Sequence, residues 1–161
     1  MIFVTVGTLG PFDRLVRAVD ELCGRGAIHE QVFAQAGKTS YHARHIQVVE
    51  SLSRDAFDER MRRSSAVIGH AGMGTILKAI AIEKPLLVVP REKRFAEHVN
   101  DHQVATARRF AELQHVLACF DVRDLVTQIG LLHGFRPAPR VPRSAQVSRR
   151  IREFLEQSVS R

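Results

Sequence analysis

The chain contains no tryptophan and a single tyrosine, so the flat aromatic platforms on which single-stranded nucleic acids stack are scarce. Its two cysteines, Cys23 and Cys119, stand far apart and lack the close pairing of a metal knuckle. They read as reduced thiols in or near a core, not as a disulfide or zinc ligands. Long hydrophobic runs are also missing. No apolar stretch approaches the roughly 18 residues that span a bilayer, and the opening Met-Ile-Phe-Val-Thr-Val-Gly has a strand pattern without the basic start of a signal peptide. A cytoplasmic protein is therefore expected. With 161 residues there is room for one domain with a proper core and not for two.

What is abundant is positive charge. Lysine and arginine outnumber the acids 24 to 17, for a formal net charge of +7. That balance invites a nucleic-acid reading. The bases are scattered, however: Arg60, Arg62 and Arg63, then Arg91, Lys93 and Arg94, then a tail holding Arg136, Arg140, Arg143, Arg149, Arg150 and Arg152. No single recognition helix collects them. Anionic lipid headgroups or an acidic partner suit this distribution better, and no nucleic-acid partner is expected.

Hydrophobic periodicity sets the organisation. Residues 2–6 read as a buried strand, followed behind Gly10-Pro11 by Phe12, Leu15, Val16, Val19 and Leu22 at helical spacing. Residues 30–34 and 46–49 read as two further strands. Ser53 or Asp55 caps a helix running to Arg62, and residues 65–68 form a fourth strand. A helix over 75–82, a strand over 85–89, a long helix over 99–113, a strand over 115–118 and a helix over 121–132 complete the pattern. Short β-branched strands alternating with helices of about three turns predict an α/β fold with a doubly wound parallel sheet, whose ligands bind at the carboxyl ends of the strands. Residues 1–132 are read as this domain. Residues 133–161 are read as a proline-containing connection and a basic terminal helix with an apolar stripe of Val147, Ile151, Phe154 and Leu155.

The residues able to carry chemistry lie where strands end. Gly7 and Thr8 follow the first strand, where a small residue lets the backbone approach a ligand and a hydroxyl can donate to it; a plain tight turn is the competing explanation. After the fourth strand come Gly72, Met73, Gly74 and Thr75, two glycines and a hydroxyl opening a helix, whose free amides and dipole suit a diphosphate without any metal. His70, at the same turn, reads as a general base, a phosphate donor or a satisfied turn residue. Beyond Pro90 lies a dense polar cluster, Glu97, His98, Asn100, Asp101, His102 and Gln103. Helix capping explains part of it, and a metal held by His98 and His102 at i, i+4 spacing is the weaker alternative.

In order along the chain, Met-Ile-Phe-Val-Thr-Val-Gly-Thr, Pro-Phe-Asp-Arg-Leu-Val, Gly-His-Ala-Gly-Met-Gly-Thr-Ile, Lys-Pro-Leu-Leu-Val-Val-Pro-Arg and Glu-His-Val-Asn-Asp-His-Gln resemble the donor-binding half of MurG-like, GT28-type glycosyltransferases. They are most similar to the split, single-domain members, among them the exopolysaccharide subunit PssE and the catalytic subunit of the dolichol-pathway N-acetylglucosamine transferase. The resemblance implies a Rossmann-like fold equivalent to the C-terminal half of a GT-B enzyme and an inverting transfer from a UDP-sugar. It places the diphosphate near Gly7, Thr8 and residues 72–75, the uracil near Ser51 and Leu52, and the sugar near Asn100, Asp101, His102 and Gln103. From the residues themselves His70 is the catalytic candidate, with a base supplied by a partner as the equal alternative. Arg91, with Lys93 and Arg94, is a candidate for diphosphate contacts or for pairing with an acidic sugar. No cofactor beyond the UDP-sugar substrate is implied.

One position departs from the pattern. MurG-type domains carry a glutamate four residues after the second glycine of this turn, where it accepts hydrogen bonds from ribose; here stands Lys78, which has no acceptor. Length carries a second implication. A GT-B enzyme needs another domain for its acceptor, so a PssD-like, membrane-associated partner is implied, holding a polyprenyl-diphosphate-linked saccharide at the inner face of the membrane. Without that partner an exposed docking face can support a homodimer. The competing function is a non-catalytic module that binds a nucleotide sugar for assembly or regulation.

Overall fold

Ile2–Thr5 (β1) forms the centre of a six-stranded sheet in a computed structural model that describes residues 1–139. The chain continues through Asp13–Gly24 (α1), Val32–Gln35 (β2), Gln47–Val49 (β3), Arg54–Arg63 (α2), Ala66–His70 (β4), Met73–Ala81 (α3), Leu86–Val89 (β5), His102–Glu112 (α4), Leu117–Ala118 (β6) and Leu125–Leu132 (α5). Sheet order is β3-β2-β1-β4-β5-β6, with every neighbouring pair parallel. The expected doubly wound Rossmann-like sheet is present.

Strand composition explains why both faces are covered. β1, β2 and β5 are buried along their whole length, as parallel strands flanked by helices on both sides must be. Alternate residues feed two cores. Ile2, Val4, Ile68, Leu87 and Val89 pack with Leu15, Val16 and Val19 of α1 and Leu125, Ile129 and Leu132 of α5. Phe3, Phe33, Val67, Leu86 and Val88 pack on the opposite face with Met61 of α2, Ile76, Ala79 and Ile80 of α3, and Ala107 of α4. The order reverses beside β1: the chain moves outward to β2 and β3, then returns to β4 on the other side. That reversal opens a crevice at the carboxyl ends of β1 and β4.

Element boundaries differ from the sequence reading where side chains redirect the backbone. Ser53, not Asp55, caps α2, its hydroxyl accepting from the Ala56 amide. The helix expected from residue 99 begins only at His102. Lys93–Phe95 forms a 3-10 turn, and the Asp101 carboxylate accepts from the Lys93 amide at 2.8 Å, which holds residues 99–101 in a bend. The helix expected from residue 121 likewise starts as a 3-10 turn, Val122–Asp124, with the Asp121 carboxylate accepting from the Arg123 amide. The basic terminal helix expected within residues 133–161 lies outside the described residues.

Candidate functional site

A cleft of about 560 Å³ opens at the crevice between β1 and β4. Three chain reversals build its walls. Gly7, Thr8 and Leu9 come from the β1–α1 loop, Ser51 and Leu52 from the loop before α2, Gly74 and Thr75 from the start of α3, and Lys78 from its last turn. Arg54 and Phe57 of α2 close one end, while Arg91, His98 and Gln103 close the other. No aspartate or glutamate is among the lining residues.

The floor is held by a buried amide. Gln35 ends β2, and its Nε2 donates to the Gly7 carbonyl at 3.0 Å and the Glu50 carbonyl at 3.1 Å, while its Oε1 accepts from the Thr5 hydroxyl at 2.8 Å. One side chain thus ties together two loops that supply facing walls. Arg91 does similar work at the other end. It is 1% exposed, and its guanidinium donates to the carbonyls of Val6, Gly10, Pro11 and Glu97. Burial lowers its pKa, and the nearby Glu97 works in the opposite direction. Neutral carbonyls thus take up most of its donors, and its positive charge stays behind the cleft wall. The structure therefore gives Arg91 a role in staging the loops, where the sequence alone weighed diphosphate contacts against an acidic sugar. Arg94 is occupied by Glu92 at 2.8 Å.

The glycines mark where backbone and imidazole crowd together. Gly7 has φ +75°, and a Cβ there would lie 2.6 Å from Cε1 of His70. A Cβ at Gly72 would overlap Nε2 of the same ring. His70 is therefore clamped between two turns. Burial, followed by the charge of Arg91, pushes its pKa down to about 4, so the ring is neutral at ordinary pH. Its Nδ1 meets no hydrogen-bond partner of good geometry among the described residues, although the nearby Thr5 backbone works against the downward shift. A neutral imidazole offers one donor and one acceptor. As a base it is weak, because a conjugate acid near 4 lies well below neutral pH.

α3 starts at Gly72 without a side-chain cap and without an acidic residue in its first turn. Its leading amides remain available to an anion, and the helix dipole favours one there.

Of the residues expected at a site, His70, Gly7, Thr8, Ser51, Leu52, Gly74, Thr75, Arg91 and Gln103 line one cleft. Gly72 and Met73 do not line it; Gly72 forms the helix cap beneath the wall, and Met73 is 47% exposed. Asn100, Asp101 and His102 are also outside the lining. The late start of α4 leaves the first two in the bend and engages all three locally: Asn100 accepts from the His102 amide, and Asp101 from Lys93. His98 takes their place at the cleft, its ring edge-on to His102 with centroids 4.4 Å apart. Thr5, Leu9, Gln35, Arg54, Phe57 and Lys78 complete the lining and were not foreseen as site residues. For Gln35 a signal existed: it is the polar end of an otherwise apolar strand, Val-Phe-Ala-Gln.

Residues 1–157 match the family described as the glycosyltransferase family 28 C-terminal domain. This chain belongs to that family. Among relatives of this family-28 chain, the human UDP-N-acetylglucosamine transferase subunit ALG13 is 30% identical over 135 residues, an alignment covering 73% of this chain and 11% of the human protein. The chain therefore spans about a tenth of that relative's length. In structure, it is similar to the NMR structure of ALG13, with TM-score 0.59 at 22% identity, covering 86% of this chain and 87% of the other. It is also similar to MurG from Acinetobacter baumannii, with TM-score 0.56 at 20% identity over 81% of this chain and 40% of MurG. The family-28 domain thus shares the fold of the C-terminal domains of GT-B glycosyltransferases.

Proposed function

We propose that the chain is the donor-binding subunit of a UDP-sugar-dependent glycosyltransferase. In this reading it transfers a hexose with inversion to a polyprenyl-diphosphate-linked acceptor held by a membrane-associated, PssD-like partner in polysaccharide biosynthesis. The observation that carries the reading is the uncapped start of α3 opening on a cleft that contains cations and no carboxylate. A dianionic diphosphate fits such a cleft; a cationic ligand does not.

In the transfer, the acceptor hydroxyl attacks the anomeric carbon and the bond to the diphosphate breaks, leaving charge on UDP. Preorganised amides at Gly74 and Thr75, the turn at Gly7 and Thr8, and the Arg91 charge behind them stabilise that developing charge. His70 is suited to hydrogen-bonding the diphosphate while neutral. The proton of the attacking hydroxyl goes to a group on the acceptor side, which the weak basicity of His70 assigns to the partner. No helix among the described residues is long and apolar enough to cross a membrane, so acceptor lipid is taken to reach this site through the partner.

The test is titration of the chain with UDP, followed by transfer of labelled sugar from UDP-sugars to lipid acceptor in membranes carrying a co-expressed partner. Binding of UDP in preference to UMP, with transfer only when both subunits are present and with an inverted product, is expected. Full transfer by the isolated chain would refute the split enzyme. UDP binding without transfer by the pair would leave a nucleotide-sugar-binding module.

A further inference from the structure

Lys78 lines the cleft, and its ammonium is paired with the carboxylate of Asp58, on the neighbouring helix α2. The pair joins α2 to α3 at the end of the cleft where Leu52 and Phe57 supply an apolar surface. Lys78 also lies 5.1 Å from the centroid of the Phe57 ring. Arg54 and Phe57, four and one positions before Asp58 on α2, both line it. The Asp58 side chain is 26% exposed, so it is neither sealed in the core nor fully in solvent. Lys78 is the first cause of its lowered pKa, with Arg62 and Arg54 adding to it, and the carboxylate is ionised.

A nucleoside placed with its base against Leu52 and Phe57 brings a vicinal diol to this end. Both hydroxyls of a diol donate, and a fixed carboxylate is the acceptor that dinucleotide-binding folds use for ribose. The lining itself contributes no carboxylate. Asp58, anchored by Lys78 through Oδ1, is the acidic group adjoining this end, and no protein donor occupies its Oδ2 among the described residues.

We infer that Asp58 is the acceptor for the ribose diol of the nucleotide and that Lys78 is a positioning residue that holds its carboxylate toward the cleft. The inference rests on the nucleotide-donor reading and deepens it by assigning ribose specificity to α2. It also accounts for a lysine on α3 at this place: the positive group does not contact the diol but orients the negative one.

The experiment compares UDP with 2′-deoxy-UDP by calorimetric titration of the full chain, in the wild type and in Asp58→Asn and Lys78→Met. A lost hydrogen bond to a charged acceptor predicts that the wild type prefers UDP by about tenfold or more. In Asp58→Asn the preference falls to within about twofold while affinity for 2′-deoxy-UDP is retained, a pattern that general destabilisation does not produce. Lys78→Met weakens the preference in the same direction. Unchanged thermal melting checks that both variants are folded. A preference kept in Asp58→Asn, or lost only in Lys78→Met, overturns the inference while leaving the donor reading intact. A wild type that binds UDP and 2′-deoxy-UDP equally overturns it as well. A wild type that binds neither nucleotide overturns the donor reading and the assignment of Asp58 with it.

Discussion

Gly74 separates what a residue does for the fold from what it does for a ligand. A Cβ built there meets no protein atom within 4 Å, and its backbone is helical, so neither crowding nor dihedral angle demands glycine. It nevertheless lines the cleft. Gly74→Ala is expected to raise stability by roughly 0.5–1 kcal/mol in urea unfolding, since alanine is the better helix former. The same variant is expected to lose UDP affinity by about tenfold or more in titration, because in the proposed donor site a methyl would stand where the diphosphate approaches the helix amides. Gly72 behaves differently: its extended backbone suits any residue, and only the His70 ring excludes a side chain.

Among elements, the loops leaving β1 and β3 are coupled through Gln35. Removing its amide strands the Gly7 and Glu50 carbonyls and the Thr5 hydroxyl in a place that is 5% exposed at Gln35 itself. Gln35→Leu is expected to cost about 3 kcal/mol, at about 1 kcal/mol for each of the three groups left unpaired, the low end of the range because the two carbonyl bonds are only part-buried. Amide resonances of Gly7 and Ser51 should shift together, as coupled walls would; a shift at one alone would show that the loops are held independently. The apolar periodicity displayed most of the elements because each strand had two cores to fill. It missed the late start of α4, since the cause was Asp101 reaching back to Lys93, a contact between residues that periodicity treats as separate. That displacement is also why Asn100, Asp101 and His102 fall outside the cleft.

At the scale of the whole molecule, acid stability tests the clamped histidine. An ordinary histidine titrates near 6.5, and His70 in the fold near 4. Between those values the unfolded chain binds the proton that the folded chain refuses, so the contribution is present above 6.5 and is lost as pH falls toward 4. At about 1.4 kcal/mol per pH unit this amounts to roughly 3 kcal/mol. Unfolding free energy measured from pH 7 to 4 should slope downward in the wild type, and His70→Gln should flatten that slope. The hydrogen-bonded carboxylates of Asp13 and Asp20 are held below the ordinary carboxylate range, so their contribution disappears at lower pH and does not mimic this window.

The sequence alone determined the fold class, because buried parallel strands need continuous apolar runs and their helices need a matching stripe, and both are local patterns. It also marked the glycine turns, since glycines recurring where strands end are visible as local spacing. Only the tertiary structure decided which polar residues meet. Gln35 beneath two loops, Arg91 spent on four carbonyls, and Lys78 turned to Asp58 are contacts across distant segments, set by packing geometry that one-dimensional spacing does not contain.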